Sequence, residues 1–254
     1  MDGKQRLVWD ETVKLGMLRA VIDPADDVGL KNDIIDRLHW RALKPRLRDR
    51  TNVLDFGCGT GRFARRVLDL GMSYSGVDGS AGMVQAAGKY SGAPDRFVQC
   101  ESVPLPFPDA TFDACISCWT YQYIIHTPAE SSVIADIARV LKFGGRLLLL
   151  EQASLSGRSS SSVSTSSTTE DYVRVLEPHF TVDSVRTVRS SRLSPATRRL
   201  LRWRRQIPGV GPVVAEWLAA HELRYAGRLT PEDLSALEYY DVLIVATKAP
   251  LAAR

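Results

Sequence analysis

Val53-Leu54-Asp55-Phe56-Gly57-Cys58-Gly59-Thr60-Gly61-Arg62 sets a short apolar run ahead of a glycine-rich turn and a helix-forming segment. That order aims the backbone N–H groups of a helix start at a ligand. Glycine serves it by allowing positive φ in the turn and by removing the Cβ that would hold a ligand off the backbone. Asp78 ends the next predicted strand, where an acidic group can accept both hydroxyls of a ribose. The pair points to a nucleoside-bearing ligand. The glycines are spaced G-x-G-x-G, and Arg62 stands where the dinucleotide fingerprint needs a small residue, which disfavours NAD. Asp55 argues the same way, because a carboxylate ahead of the loop repels a pyrophosphate and attracts an ammonium or sulfonium. Its other reading is a brace for the turn.

Outward from this stretch, short apolar runs alternate with amphipathic segments, the grammar of a mostly parallel sheet covered on both faces. Strands are predicted at Asn52 to Phe56, Ser73 to Asp78, Arg96 to Gln99, Phe112 to Ser117 and Arg146 to Glu151, with later strands at Thr181 to Arg189 and Tyr240 to Lys248. Helices are predicted at Gly61 to Leu70, Gly82 to Lys89, Glu130 to Leu141 and Glu170 to Glu177. Ahead of the sheet, Ile34, Ile35, Leu38, Ala42 and Leu43 recur at helical spacing until Pro45, so residues 1–47 read as cap helices and 48–254 as the main domain. The serine- and threonine-rich run 154–169 lacks periodicity and reads as a mobile loop, and 194–229 as an insert.

The 254 residues are 44% hydrophobic and 24% charged, the balance of a folded globular chain. The opening MDGKQRLVWDE has neither the apolar core of a secretory signal nor the acid-poor character of a transit peptide. No apolar run reaches bilayer length, so a cytoplasmic location is expected. The four cysteines, Cys58, Cys100, Cys115 and Cys118, lack the dense framework of secreted domains and are expected as thiols. Cys115 and Cys118 form a C-x-x-C, but no second pair or histidine cluster completes a zinc site, and strand alternation sends their sulfurs to opposite faces. No metal is expected.

Four stretches in order, VLDFGCGTGRF, GVDGSAGMV, CESVPLPFPDATFDACISCWTYQYI and IARVLKFGGRLLLLE, with a terminal EYYDVLIVATK, resemble the class I S-adenosylmethionine-dependent methyltransferases. The resemblance implies an α/β, Rossmann-like doubly wound sheet, mostly parallel with an antiparallel last strand. It also implies S-adenosylmethionine as cofactor, leaving as S-adenosylhomocysteine. Carried onto this sequence, it places Asp55, Gly57 and Gly59 around the methionine part and Asp78 at the ribose, with Cys58, Gly61, Gly79 and Cys118 also among the cofactor-binding residues. Met83 falls at one adenine face, Glu101 at the adenine amino group and the Ser102 backbone at the ring. Met83 reads equally as core. The chain departs from the family at Phe143, where relatives usually carry Pro, and at Gln122, where many carry His.

Methyl transfer is an in-line displacement that asks mainly for alignment and exclusion of water. A hydroxyl acceptor would also need a base, for which His126, Glu151, Tyr121 and His221 are the candidates. Trp119, Tyr121 and Tyr123 form either an aromatic wall for the acceptor or plain core. From Arg186 to Arg205 there are eight arginines and no acid, against a net charge of +4 for the whole chain. The block is either a solvated face or a grip for an anionic, lipid-linked or membrane-borne acceptor. Nucleic acid fits poorly, since no appended module interleaves aromatic and basic residues. The expected partner is a small-molecule acceptor, a secondary metabolite or saccharide methylated on O, N or C. The alternative is a non-catalytic scaffold or regulatory partner that only binds the cofactor.

Overall fold

In the computed structural model, which describes residues 3–155, 167–204 and 212–249, the apolar runs pair into one seven-stranded sheet. Its strands are β1 (Asn52–Phe56), β2 (Ser73–Asp78), β3 (Phe97–Gln99), β4 (Phe112–Cys118), β5 (Leu141–Ala153), β6 (Phe180–Ser190) and β7 (Tyr240–Lys248). The order is β3-β2-β1-β4-β5-β7-β6. β1 to β5 are parallel, and β7 runs antiparallel between β5 and β6. This is the expected Rossmann-like sheet, mostly parallel with an antiparallel last strand. β1 and β4 neighbour each other although they are far apart in sequence, so the winding reverses there and leaves a crevice at their carboxyl ends.

The helices are α1 (Gly3–Thr12), α2 (Leu30–Leu43), α3 (Ala64–Leu68), α4 (Ala81–Ser91), α5 (Glu130–Val140), α6 (Thr169–Leu176), α7 (Pro195–Arg204), α8 (Pro212–Ala226) and α9 (Pro231–Ser235). One core gathers Ile34, Leu38, Val67, Leu148, Leu218 and Leu243, so α2, α3 and α8 cover one face of the sheet. The other gathers Cys115, Ile134, Ile137, Leu149, Tyr172 and Ile244 under α5 and α6. Cys115 is in this second core, whereas Cys118 packs against the first, as strand alternation requires.

The larger differences from the sequence reading are at β5 and α3. β5 begins at Leu141 rather than Arg146 because Lys142 to Gly145 form a bulge within the strand's pairing to β4. α3 begins only at Ala64, because Gly57, Gly59 and Gly61 all have positive φ, which a right-handed helix cannot absorb.

The basic block does not lie on one surface. Arg198 and Arg199 are exposed on α7, but Arg189 is buried and pairs with Asp241 at 2.5 and 2.9 Å. The β6–β7 register sets the two directly across from each other, and alternation turns both inward. Arg205 lies outside the described residues, as do 156–166 of the serine-rich run. The flanks of that run are fixed: Ser154 N donates to Ser167 O at 3.0 Å, and Thr168 and Asp171 form a capping box at α6. In the insert, Ser194 and Thr197 at the start of α7 donate to the buried carboxylate of Glu222 on α8.

Removing the guanidinium behind a buried carboxylate leaves that charge uncompensated. Arg189→Met is expected to lower the unfolding free energy by about 3 to 5 kcal/mol in urea denaturation. A loss below about 1 kcal/mol would show that Asp241 does not depend on the pair.

Candidate cofactor trough

At the carboxyl ends of β1, β2 and β4, two cavities meet over Gly57 and Asp78. The narrow one, about 60 Å³, is walled by Asp55, Cys58, Gly59, Met83 and Cys118 and closed by Trp9 of α1 and Val21. The open one, about 730 Å³, runs past Gly79, Glu101 and Ser102 toward the start of α5. The trough thus brings together the expected cofactor residues with one exception. Gly61 lines neither cavity, and an added Cβ there would stand 3.0 Å from Ala87 and 3.1 Å from Phe97. Its place is the close contact between the turn and its neighbours.

The loop is held by its own acids. Asp78 accepts from the N–H groups of Gly59 and Ser80, each at 2.9 Å, and burial pushes its pKa above the usual carboxylate value in spite of them. Asp55 accepts from Tyr74 Oη at 2.7 Å. Burial raises it to about 6, opposed by the Tyr74 bond and by Arg62 and reinforced by Asp78. Gly57, at φ +70°, sits under Thr120, and an added Cβ would fall 2.2 Å from the threonine side chain. Thr120 Oγ1 donates to Gly57 O at 3.2 Å and lies 3.4 Å from Cys118 O, so the threonine divides the two cavities.

The candidate bases are distributed differently. Glu151 is fully buried and accepts from the N–H groups of Thr120 (3.1 Å), Tyr121 (2.8 Å) and Gln122 (3.3 Å), with Ser117 Oγ at 3.3 Å. Its carboxylate faces backbone, not the trough. Tyr121 is core, its hydroxyl donating to Glu130 O at 2.8 Å. His126 lies off both cavities near Ser167 and Asp171. His221 stacks on Trp217 of α8. Of the three aromatics, Trp119 and Tyr123 line the trough and Tyr121 does not. Gln122 is buried with its amide at Trp119 O, 3.3 Å away.

A buried polar cluster behind the trough was not anticipated. His39 of α2 meets Asp241 through Nε2 at 2.9 Å, while its Nδ1 receives the Arg62 guanidinium at 3.2 and 3.3 Å. Two donors on Nδ1 require a lone pair there, so Nε2 carries the proton. Burial, with the charges of Arg62 and Arg189, pushes His39 down to about 4 against the pull of Asp241. Arg62 also donates to Asp36 at 3.2 Å and to Cys118 Sγ at 3.0 Å. Asn32, Asp36 and His39, polar residues at helical spacing on the apolar face of α2, are the signal that could have revealed the cluster.

A model of the methyltransferase domain matches residues 54–149. The matched stretch contains the glycine turn, Asp78 and the strands from β1 into β5. A sterol 24-C-methyltransferase of Gibberella zeae is 34% identical over 42% of this chain and 29% of its own length. A demethylmenaquinone methyltransferase of Tropheryma whipplei is 31% identical over 53% of this chain and 57% of its own. The chain therefore spans from under a third to just over half of these curated relatives. Among solved structures, the geranyl diphosphate C-methyltransferase of Streptomyces coelicolor aligns at a TM-score of 0.62 with 16% identity, covering 98% of each chain. The [4+2]-cyclase SpnF aligns at 0.56 with 24% identity, covering 84% of this chain and 81% of its own. Both likenesses show the fold alone.

Glu151 gives the trough a pH signature. Burial raises its pKa from 4.5 to about 8 despite the backbone donors. A carboxylate raised on folding favours the folded state fully below its unfolded pKa, and that advantage is lost as pH climbs to the folded value. The stability difference between the native chain and Glu151→Gln should therefore shift against the native chain between pH 4.5 and about 8. Equal pH slopes in thermal unfolding of the two proteins would contradict this.

Proposed function

We propose that this chain transfers the methyl group of S-adenosylmethionine to a small, largely apolar acceptor. The observation that carries the proposal is the trough: two carboxylates and a glycine turn on one side, aromatic and aliphatic walls on the other. The fit to the cofactor is testable on the residues present. Gly57 and Gly59 are places where a Cβ would meet Thr120 or Val21 within 3 Å, so only glycine lets the turn lie this close to two residues that line the trough. Asp55 and Asp78 supply the negative charge that a cationic nucleoside needs.

In this reading Asp78 accepts from the ribose, and Asp55 faces the ammonium and sulfonium end. The carbonyls of Gly57 and Cys118, now beside the Thr120 hydroxyl, are acceptors at hand for the ammonium. Met83 and Gly79 bound the adenine on one side, with Glu101 and the Ser102 backbone at its edge. When bound, the cofactor supplies an electrophilic methyl on a positively charged sulfur. The acceptor is aligned by Trp119, Tyr123 and Trp9, whose rings exclude water and favour a cationic centre. Neither cavity's described lining includes a histidine or lysine, and the reading leaves O, N or C acceptors open. Residues Val213 and Trp217 on the insert are 81% and 61% exposed, near the exposed Arg198 and Arg199 in sequence. That supports a lipid-borne or anionic acceptor. The relatives named for sterol, demethylmenaquinone and geranyl diphosphate substrates support an isoprenoid-like one.

A cofactor-holding scaffold is the second reading. It is favoured by the same absence of a histidine or lysine among the described lining residues and by the fold shared with the [4+2]-cyclase SpnF. Incubation with labelled S-adenosylmethionine and a panel of sterol, quinol and prenyl diphosphate acceptors decides between them, methyl transfer to any supporting the enzyme.

Calorimetry tests the cofactor site itself. Asp78→Ala is expected to weaken S-adenosylhomocysteine binding by about 1.5 to 3 kcal/mol, the range for hydrogen bonds to a charged group. S-adenosylmethionine affinity should also fall as pH drops through about 6, where Asp55 gains a proton. A Kd unaltered by the mutation and flat across that range would remove both carboxylates from the site.

A further inference from the structure

Arg62 follows the last glycine of the turn and is the sole basic side chain among the described lining residues of either cavity. It is buried, and its guanidinium is fixed by neighbours behind the trough. Nη1 donates to Asp36 at 3.2 Å, both Nη atoms meet the lone pair of His39 Nδ1, and Cζ lies 4.2 Å from the centre of the Phe63 ring. His39 is itself held by Asp241. A guanidinium whose position is set by buried partners is preorganised for a ligand.

Its remaining contact is of another kind. Nη2 donates to Cys118 Sγ at 3.0 Å, at the wall of the narrow cavity. Burial pushes the Cys118 pKa well up against the pull of Arg62, so the sulfur is a neutral thiol and a weak acceptor. Nε and Nη2 form an edge with which a guanidinium takes both oxygens of a carboxylate, and among the described residues that edge meets no oxygen acceptor. Asp55 lines the same narrow cavity, and its charge and that of Arg62 each shift the other's pKa. An acid and a base thus stand together where the cofactor reading puts the methionine part. The head of that part is a zwitterion, with ammonium and carboxylate on one carbon. Asp55 and the nearby carbonyls answer the ammonium. The turn's own N–H groups do not answer the carboxylate: those of Gly57 and Cys58 are spent on Val77 O, that of Gly59 on Asp78 and that of Gly61 on Cys58 O.

We propose, resting on the cofactor reading above, that the Nε–Nη2 edge of Arg62 binds the α-carboxylate of the cofactor and its product, the carboxylate taking the place of the Cys118 thiol. The exchange replaces a weak neutral acceptor by a charged one in a partly desolvated site, where charge-assisted hydrogen bonds are strong. It also sets each end of the zwitterion against the opposite charge, Asp55 for the ammonium and Arg62 for the carboxylate. A nucleoside that carries the amine without the carboxylate gains only the first.

The test is calorimetry on the full chain with S-adenosylhomocysteine and with its decarboxylated analogue, which keeps the nucleoside and the amine and lacks only the carboxylate. The native chain is expected to bind S-adenosylhomocysteine about tenfold or more tightly than the analogue. Arg62→Gln, checked for folding by near-ultraviolet circular dichroism, is expected to lose that preference. Its affinity for S-adenosylhomocysteine falls about tenfold or more, while that for the analogue does not fall. If the glutamine variant does not fold, Arg62→Lys, which keeps the charge and gives up the fork, takes its place and is expected to show a smaller preference than the native chain. Equal affinity of the native chain for the two ligands would overturn the carboxylate anchor and leave the cofactor reading standing. So would a folded variant that keeps the native preference, or one that loses both ligands equally, which would make Arg62 a brace between the glycine turn and α2. A native chain that binds neither ligand would overturn the anchor and the cofactor reading together.

Discussion

Glu151 accepts hydrogen bonds from three consecutive backbone N–H groups, those of Thr120, Tyr121 and Gln122, and the trough takes its shape from that contact. The chain leaving β4 turns sharply, with Trp119 at a φ of +56°, a conformation that costs an L-residue about 1 kcal/mol or more. The carboxylate at the end of β5 stabilises the turn. Trp119 N donates to Leu150 O at 2.8 Å, which closes the same turn from the preceding residue of β5. Thr120 is thereby set over Gly57, Tyr121 into the core and Tyr123 onto the trough wall. A buried acid that looks like a base in the sequence is in the structure the scaffold of the wall.

Burial of charge recurs on the other side of the same wall. The cross-strand pair Arg189–Asp241 anchors His39, His39 receives Arg62, and Arg62 reaches Cys118 at the trough surface. Arg189 also lies 5.2 Å over the Trp119 ring, and His39 meets that ring edge-on at 4.9 Å. The indole is therefore braced from beneath by polar groups that are themselves satisfied, and a satisfied buried network rigidifies what packs on it. α2 and the last two strands fix the Trp119 side of the trough in this way although they lie far from the glycine turn in sequence.

The sheet was legible because each strand carries its own hydrophobic period and each parallel crossover its helix. The glycine turn and Asp78 were legible because backbone geometry restricts those positions to few residue types. What was hidden depends on register. Whether Arg189 belongs to a surface block or to the core is decided by its partner on β7, and one strand does not reveal the register of another. Whether Glu151 points at a ligand or at backbone depends on a turn whose conformation has no sequence signature. Gly61 belongs to the motif by spacing, yet its neighbours Ala87 and Phe97 come from later elements.

The electrostatics of the trough follow from how these pieces combine. Among its described lining residues Arg62 is the sole basic side chain, set against Asp55 and Asp78 on the narrow side. Arg62 is drawn back by Asp36, which also binds Arg66, so part of its charge is offset from behind. His39, held neutral beside it, adds no second positive charge. Burial meanwhile raises both Asp55 and Asp78, with Asp78 adding to the rise of Asp55 and Asp10 to that of Asp78. Two crowded carboxylates facing one restrained guanidinium are a site for a cation, since a positive ligand relieves their repulsion as it binds. The same crowding disfavours an anionic ligand in the narrow arm.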